Sequence, residues 1–186
     1  MRRRLLLLSA LLLCAATSAA AEDAGIEALA RVATAKCAAT AGERPTPQQI
    51  IAKVSEAARL IEQEGPAAFP RLRGDSPFIF NGTYVWVHDL DTYVMHVHPV
   101  RPRMEGRSVA GMTDVKGKPF FAEMARVITE QGGAGWVDYV WPKPGEVDGS
   151  LKVSFVKKAS FDGRNYVVGC GAYDLTLDDI RTRIAK

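Results

Sequence analysis

The sequence predicts an α+β domain in which N-terminal helices pack on an antiparallel sheet of about five strands. Three observations carry that expectation. Apolar residues recur at helical spacing in the first third of the chain, alternating β-rich runs with one helix-bearing crossover follow, and short turns marked by Asp or Gly join several of those runs.

Residues 1–21 read as a secretory signal peptide. Arg2 to Arg4 form a basic start, an apolar run extends from Leu5 to Ala16, and Ala19 and Ala21 meet the small-x-small cleavage rule, which puts the mature start near Glu22. The run is too short to span a bilayer, so the mature chain is expected to be periplasmic or secreted, without membrane insertion after cleavage. Lipidation at Cys14 is the competing reading. Leu13 stands where a lipoprotein signal needs a small residue, which argues against it.

Removing the signal changes the charge and the thiol inventory. Lys and Arg fall from 24 by the three signal arginines and then equal the 21 Asp and Glu, so the formal charge drops from +3 to zero. The electrostatic footprint of a nucleic-acid binder is absent. About 165 residues remain, enough for one domain with a sizeable core. Cys37 and Cys170 are the remaining cysteines. In an oxidising compartment they form either a disulfide stapling the two ends of the domain or a pair of buried thiols, and both readings stay open.

Residues 22–45 form an N-terminal helical segment, with an alanine-rich helix from Gly25 to Thr40, and residues 46–186 form a single domain. Thr46-Pro47-Gln48-Gln49 supplies an N-cap, a proline at N1 and a Gln at N3, ahead of Ile50, Val54, Ala57 and Ile61 at helical spacing. Gly65-Pro66 ends this helix, and a connecting stretch runs through "AAFPRLRGDSPFIFNG". "TYVWVHD" and "YVMHVHP" then form a hairpin about Asp89 to Thr92. A long Gly- and Pro-marked loop follows, then a short helix from Phe120 to Gln131 and the strand "GWVDYVW". "LKVSFVKK" and "NYVVGCGAY" are joined by a tight turn at Phe161 to Arg164, and Leu177 to Ala185 form the last helix. With the N-terminal helix pair on one face of the sheet, the other face is left for the loop and short helix to cover, and a pocket between them follows.

Alternation puts Val137, Tyr139 and Trp141 on one face of their strand and Trp136 on the other, beneath the helices. Tyr84, Trp86, Tyr139 and Trp141 offer broad apolar surface with one polar atom each, suited to a pocket wall or to plain core packing. Lys152 interrupts an apolar strand. It either faces solvent or, turned inward, needs an anionic partner. His98 ends a strand beside Pro99, where a ligand-binding imidazole fits, and Arg107 is a second candidate cation or a solvated loop residue. His88, His96 and His98 share one hairpin, with 96 and 98 expected on one face, so a metal site is an alternative. The sequence carries no nucleophile elbow, phosphate-binding loop, His-Glu-x-x-His or haem motif, and no catalytic activity and no cofactor are expected.

Several stretches in order resemble one family: "TYVWVHDLDTYVMHVHPVRPRMEGRSVAGMTDVKGKPFF", "GWVDYVWPKP", "LKVSFVKK" and "VVGCGAYD". They look like the single Cache domain of type 2, a PAS-like extracytoplasmic sensor module of bacterial chemoreceptors and histidine kinases. The resemblance covers about residues 46 to 175 and implies small organic acids held between sheet and covering loops, with His98, Tyr139, Trp141 and Lys152 around the pocket. Two departures stand out. "DLDTY" lacks the glycine usual at the hairpin turn, and receptor members continue into a membrane helix and signalling domain whereas this sequence ends at Lys186, as in the stand-alone secreted form. The expected function is therefore periplasmic binding of a small carboxylate, with a membrane sensor kinase or chemoreceptor as partner. Metal binding through the three histidines and a protein-interaction module are the alternatives.

Overall fold

The structure is a computed structural model that describes residues 23–184. The expected signal segment, its expected cleavage near Glu22 and Cys14 lie outside the described residues, as does the expected end of the last helix at Ala185. Helix α1 covers residues 23–39. Helix α2, Pro47–Glu64, begins with a reciprocal capping box: Thr46 Oγ1 accepts from the Gln49 N–H, and the Gln49 side chain accepts from the Thr46 N–H. Gly65, at φ 59°, ends it, and a 3₁₀ segment, Gly65–Leu72, continues the chain.

Seven strands follow: β1 (Ile79–Phe80), β2 (Thr83–Tyr84), β3 (Trp86–Asp89), β4 (Met95–Val97), β5 (Ala134–Pro142), β6 (Gly149–Phe161) and β7 (Arg164–Tyr173), with α3 (Phe120–Glu130) before β5 and α4 (Leu177–Ile184) at the end. The main sheet has the order β4-β3-β7-β6-β5 and is antiparallel throughout. The stretch "IFNGTY", read above partly as connection, is a separate two-stranded hairpin, β1 with β2, turned at Asn81 and Gly82, both with positive φ. Asp162 and Gly163 make the same kind of turn between β6 and β7, at φ 48° and 74°. At the glycine-less turn after β3, Tyr93 takes φ 59°, while Asp89 Oδ1 accepts from the N–H groups of Asp91 and Thr92.

The sheet separates two cores. On one face, Ile50, Val54 and Ile61 of α2 and Ile180 of α4 pack against Val87, Val153, Val168 and Cys170, with Trp136 at the margin as expected. On the other face lie Tyr84, Trp86, Met95, Phe120, Met124 and Tyr139, joined by Ala33 and Cys37 of α1. The N-terminal helices thus do not form a pair on one face. α1 crosses to the aromatic side, and α4 joins α2 on the opposite one.

This division also decides the cysteines. Cys37 and Cys170 are free and buried, one in each core. Thr83 stands between them: Cys37 Sγ donates to the Thr83 carbonyl over 3.5 Å, and the Thr83 hydroxyl lies 3.8 Å from Cys170 Sγ. The disulfide that would staple the domain ends is absent, because Cys170 points to the α2 face while Cys37 descends from the other side. Among the described residues no helix is long and apolar enough to cross a membrane.

Close approach of β7 to the Trp86 ring of β3 depends on Gly169, the β7 register partner of Trp86. A Cβ there would collide with Trp86 Cζ2 and Cε2. Gly169→Ala is expected to lower stability by about 1–3 kcal/mol, the usual cost of overpacking, read as a fall in Tm by thermal denaturation. An unchanged Tm would mean that Trp86 does not lie across β7.

Candidate functional site

The register of the central strands builds the site. Lys152 on β6 pairs with Tyr139 on β5 and Tyr173 on β7, so the three side chains rise from one sheet face in a row. In the next row Ser154 lies between Val137 and Gly171, and its hydroxyl meets Tyr139 Oη at 3.0 Å. Gly169 carries no side chain, which leaves the floor low enough for Trp86 to lie across it, and Gly171 leaves room for the Ser154 hydroxyl.

Lys152 is fully buried. Its Nζ donates to Tyr173 Oη over 3.1 Å and lies 4.4, 4.5 and 5.2 Å from the ring centroids of Tyr84, Tyr173 and Trp86. Among the described residues no carboxylate pairs with it. Burial pushes its pKa down to about 7, Cys170 and Cys37 oppose that fall, and Arg101 adds to it. Burial likewise drives the phenols of Tyr84, Tyr139 and Tyr173 upward, so they stay neutral and supply no counter-charge.

The remaining walls come from distant segments. His98 follows β4, with its ring centroid 5.1 Å from Tyr84 and 6.1 Å from Trp141. Burial lowers its pKa to about 3, with Lys152 and Arg101 pushing the same way, so the imidazole is neutral. Trp141 Nε1 donates to Tyr84 Oη over 3.1 Å, and Phe120 at the start of α3 stacks on Tyr139 at 4.5 Å. Between these groups and Phe121 is a cavity of about 10 Å³, room for one water. Two buried polar atoms of its lining have no partner among the described residues: Trp86 Nε1, which can only donate, and His98 Nδ1.

Six residues singled out from sequence, Tyr84, Trp86, His98, Tyr139, Trp141 and Lys152, line this cavity. Arg107 does not. Its segment turns back along β4, where Met95 N–H donates to the Arg107 carbonyl and Gly106 N–H to the Met95 carbonyl, and the Arg107 side chain is left exposed. Arg101 does not line the cavity either but backs one of its walls, with its guanidinium 5.3 Å above the Trp141 ring. Phe120, Phe121 and Tyr173 were not singled out. Tyr173 closes the Gly-x-Gly-x-Tyr run and the phenylalanines open a helix, positions where sequence offers a pattern but no direction.

The histidines do not converge. β3 and β4 slip register between Val87 and His88, a bulge that sends His96 to stack on Phe69 at 5.2 Å and to meet Tyr166 edge-on at 5.5 Å on the α2 face. His98 turns to the cavity, and His88 is buried against Phe121 at 5.1 Å. Among the described residues no group of three or more His, Cys, Asp or Glu side chains is placed to hold a metal ion. The metal alternative therefore fails on geometry: residues 96 and 98 share a face only in an unbroken strand.

The Thr-Asp-x-x-Gly stretch has a structural task. Asp114 Oδ1 accepts from the N–H groups of Lys116 and Lys118, and Oδ2 accepts from Val140 N–H on β5, which pegs the covering loop beside Trp141.

Because the pKa of Lys152 is depressed in the folded state, the unfolded chain binds more protons between about pH 7 and 10.5. Stability contributed by this group thus rises with pH through that window, and the penalty is complete below it. Lys152→Met is expected to abolish that slope and to gain most over wild type near pH 6, measured by urea unfolding at pH 6 and pH 9. Parallel pH profiles for the two proteins would contradict a buried, unpaired ammonium.

A family model described as Single Cache domain 2 matches residues 34–186. Over 103 residues the chain is 30% identical to Methyl-accepting chemotaxis protein McpP of Pseudomonas putida, a match covering 55% of this chain and 18% of that protein. Over 97 residues it is 35% identical to Sensor histidine kinase MctS of Rhizobium johnstonii, covering 52% and 19%. In each case the match spans less than a fifth of the relative's length. A Cache chemosensory domain solved in a study of carboxylic acid recognition superposes with a TM-score of 0.59 at 27% identity, covering 69% of this chain and 92% of that one. The periplasmic sensor domain of a chemotaxis protein gives a TM-score of 0.53 at 28% identity, covering 84% and 97%.

Proposed function

The chain belongs to the single Cache domain 2 family, and we propose that it is an extracytoplasmic sensor domain that binds a small carboxylate at Lys152 without catalysing a reaction. One observation carries the reading: Lys152 is a fully buried ammonium with aromatic walls and, among the described residues, no counter-charge. An unpaired buried charge is costly, and an anion bound beside it relieves that cost through charge-assisted hydrogen bonds. The unpartnered Trp86 Nε1 and His98 Nδ1 supply further contacts to a carboxylate oxygen. Every lining group offers either a donor or an apolar face, the neutral imidazole through its one N–H, and no lining carboxylate stands ready to receive a ligand ammonium.

The size of the cavity limits the ligand. Room for one water means that a small acid replaces that volume and displaces an aromatic wall slightly, with half-buried Trp141 and Arg101 on the solvent side. The structural neighbour solved for carboxylic acid recognition supports the ligand class, and the N-terminal secretory signal together with the periplasmic sensor neighbour supports an extracytoplasmic location. The chemoreceptor and kinase relatives point to a membrane receptor or sensor kinase as the partner.

A thermal-shift series with small mono- and dicarboxylates, amino acids and divalent metals tests the proposal. A native-state ligand at about 100 times its Kd adds about 2.7 kcal/mol, a rise of several degrees in Tm. The expected result is a shift with carboxylates alone, lost in a folded Lys152→Met variant; a shift that survives in that variant would remove Lys152 from the site.

The pH dependence of affinity follows from the same group. Lys152 is charged below about pH 7 in the unliganded protein and must regain a proton on binding above it. Affinity is expected to be flat below pH 7 and to weaken by up to about tenfold per pH unit above it, measured by calorimetry in buffers of different ionisation enthalpy to count proton uptake. Binding that is indifferent to pH from 6 to 9, without proton uptake, would contradict it.

A further inference from the structure

Glu105 touches neither the cavity nor Lys152, yet it holds the backbone from which His98 enters the site. Its Oε1 accepts from the His98 N–H over 2.7 Å, and its Oε2 pairs with Arg73 at 2.5 Å. Arg73 in turn donates to the His96 carbonyl over 2.9 Å and to the Phe69 carbonyl over 3.0 Å. Both side chains of the pair are 13% exposed, so the interaction is shielded from solvent. The two charges grip residues 96 to 98 from both ends, through the carbonyl of one and the N–H of the other.

This stretch needs such a grip. β4 is an edge strand of three residues, its register with β3 is broken, and it ends at Val97, so the ladder does not set the direction of residue 98. From these contacts we infer that Glu105, held by Arg73, is a positioning residue that orients the His98 imidazole toward the bound carboxylate. The inference rests on the proposed function for its ligand, but not for its geometry. It also joins the two faces of the sheet: Arg73 closes the 3₁₀ segment after α2, whereas His98 faces the aromatic cavity.

Glu105→Gln keeps the shape but leaves one oxygen to serve two donors, and Arg73→Lys keeps the charge but loses the fork that reaches two carbonyls and the carboxylate. The first readout needs no ligand. In Glu105→Gln the ring resonances of His98, set by the currents of Tyr84 and Trp141, should move while those of His88 stay in place. The second is a double-mutant cycle with acetate as the probe: the variant should weaken binding about tenfold on its own and have no further effect in a His98→Ala background. Arg73→Lys should reproduce both results, and it carries the test if Glu105→Gln does not fold. His98 signals that stay in place, or the same fold-loss with and without the imidazole, would overturn the inference. If the wild-type protein binds no carboxylate, the proposed function fails, while the ring resonances still decide whether Glu105 positions His98.

Discussion

The structure is organised around an ammonium group that has been taken out of water without being given a carboxylate. Desolvating a lysine costs several kcal/mol unless its protons and charge find partners. Lys152 finds one phenolic oxygen and three aromatic faces, which offset only part of that cost. The depressed pKa is the same shortfall expressed as a proton equilibrium. A neighbouring Asp or Glu would remove the shortfall and with it the reason for the proposed anion to bind there. The lining is instead built from groups that are neutral or donate.

Such a centre needs support from parts of the molecule that make no comparable sacrifice. The α2 face of the sheet is an ordinary aliphatic core, in which Ile50, Val54, Ile61, Val87, Val153 and Val168 are fully buried. It fixes the central strands, and the strand register then places Tyr139, Lys152 and Tyr173 in a row on the opposite face. The covering loop is fastened by two carboxylates directed at backbone N–H groups, Asp114 at Val140 and Glu105 at His98. Carboxylates thus surround the site at a distance where they shape it without neutralising the lysine.

Much of this was legible in the residues. The capping box at Thr46, the Asp162-Gly163 turn and the alternation through Tyr139 and Trp141 each identify an element by a local rule, and the elements formed where those rules place them. Local rules failed where the backbone departs from regularity. A bulge between β3 and β4 separates His96 from His98, which removes the metal site that alternation suggested. The path of the loop after Pro99 puts Arg101 rather than Arg107 against the cavity wall at Trp141, and nothing in the composition of that loop distinguishes the two arginines.

The sequence by itself determined the period and ends of the elements, the antiparallel pairing of its hairpins and a set of aromatic and cationic residues too polar for an ordinary core, because these follow from interactions between residues close along the chain. Only the tertiary structure decided on which side α1 packs, why Cys37 and Cys170 remain apart across Thr83, and that Lys152 faces inward without a counter-charge. Those outcomes depend on which face of a strand meets which distant segment, and a one-residue shift of register reverses them.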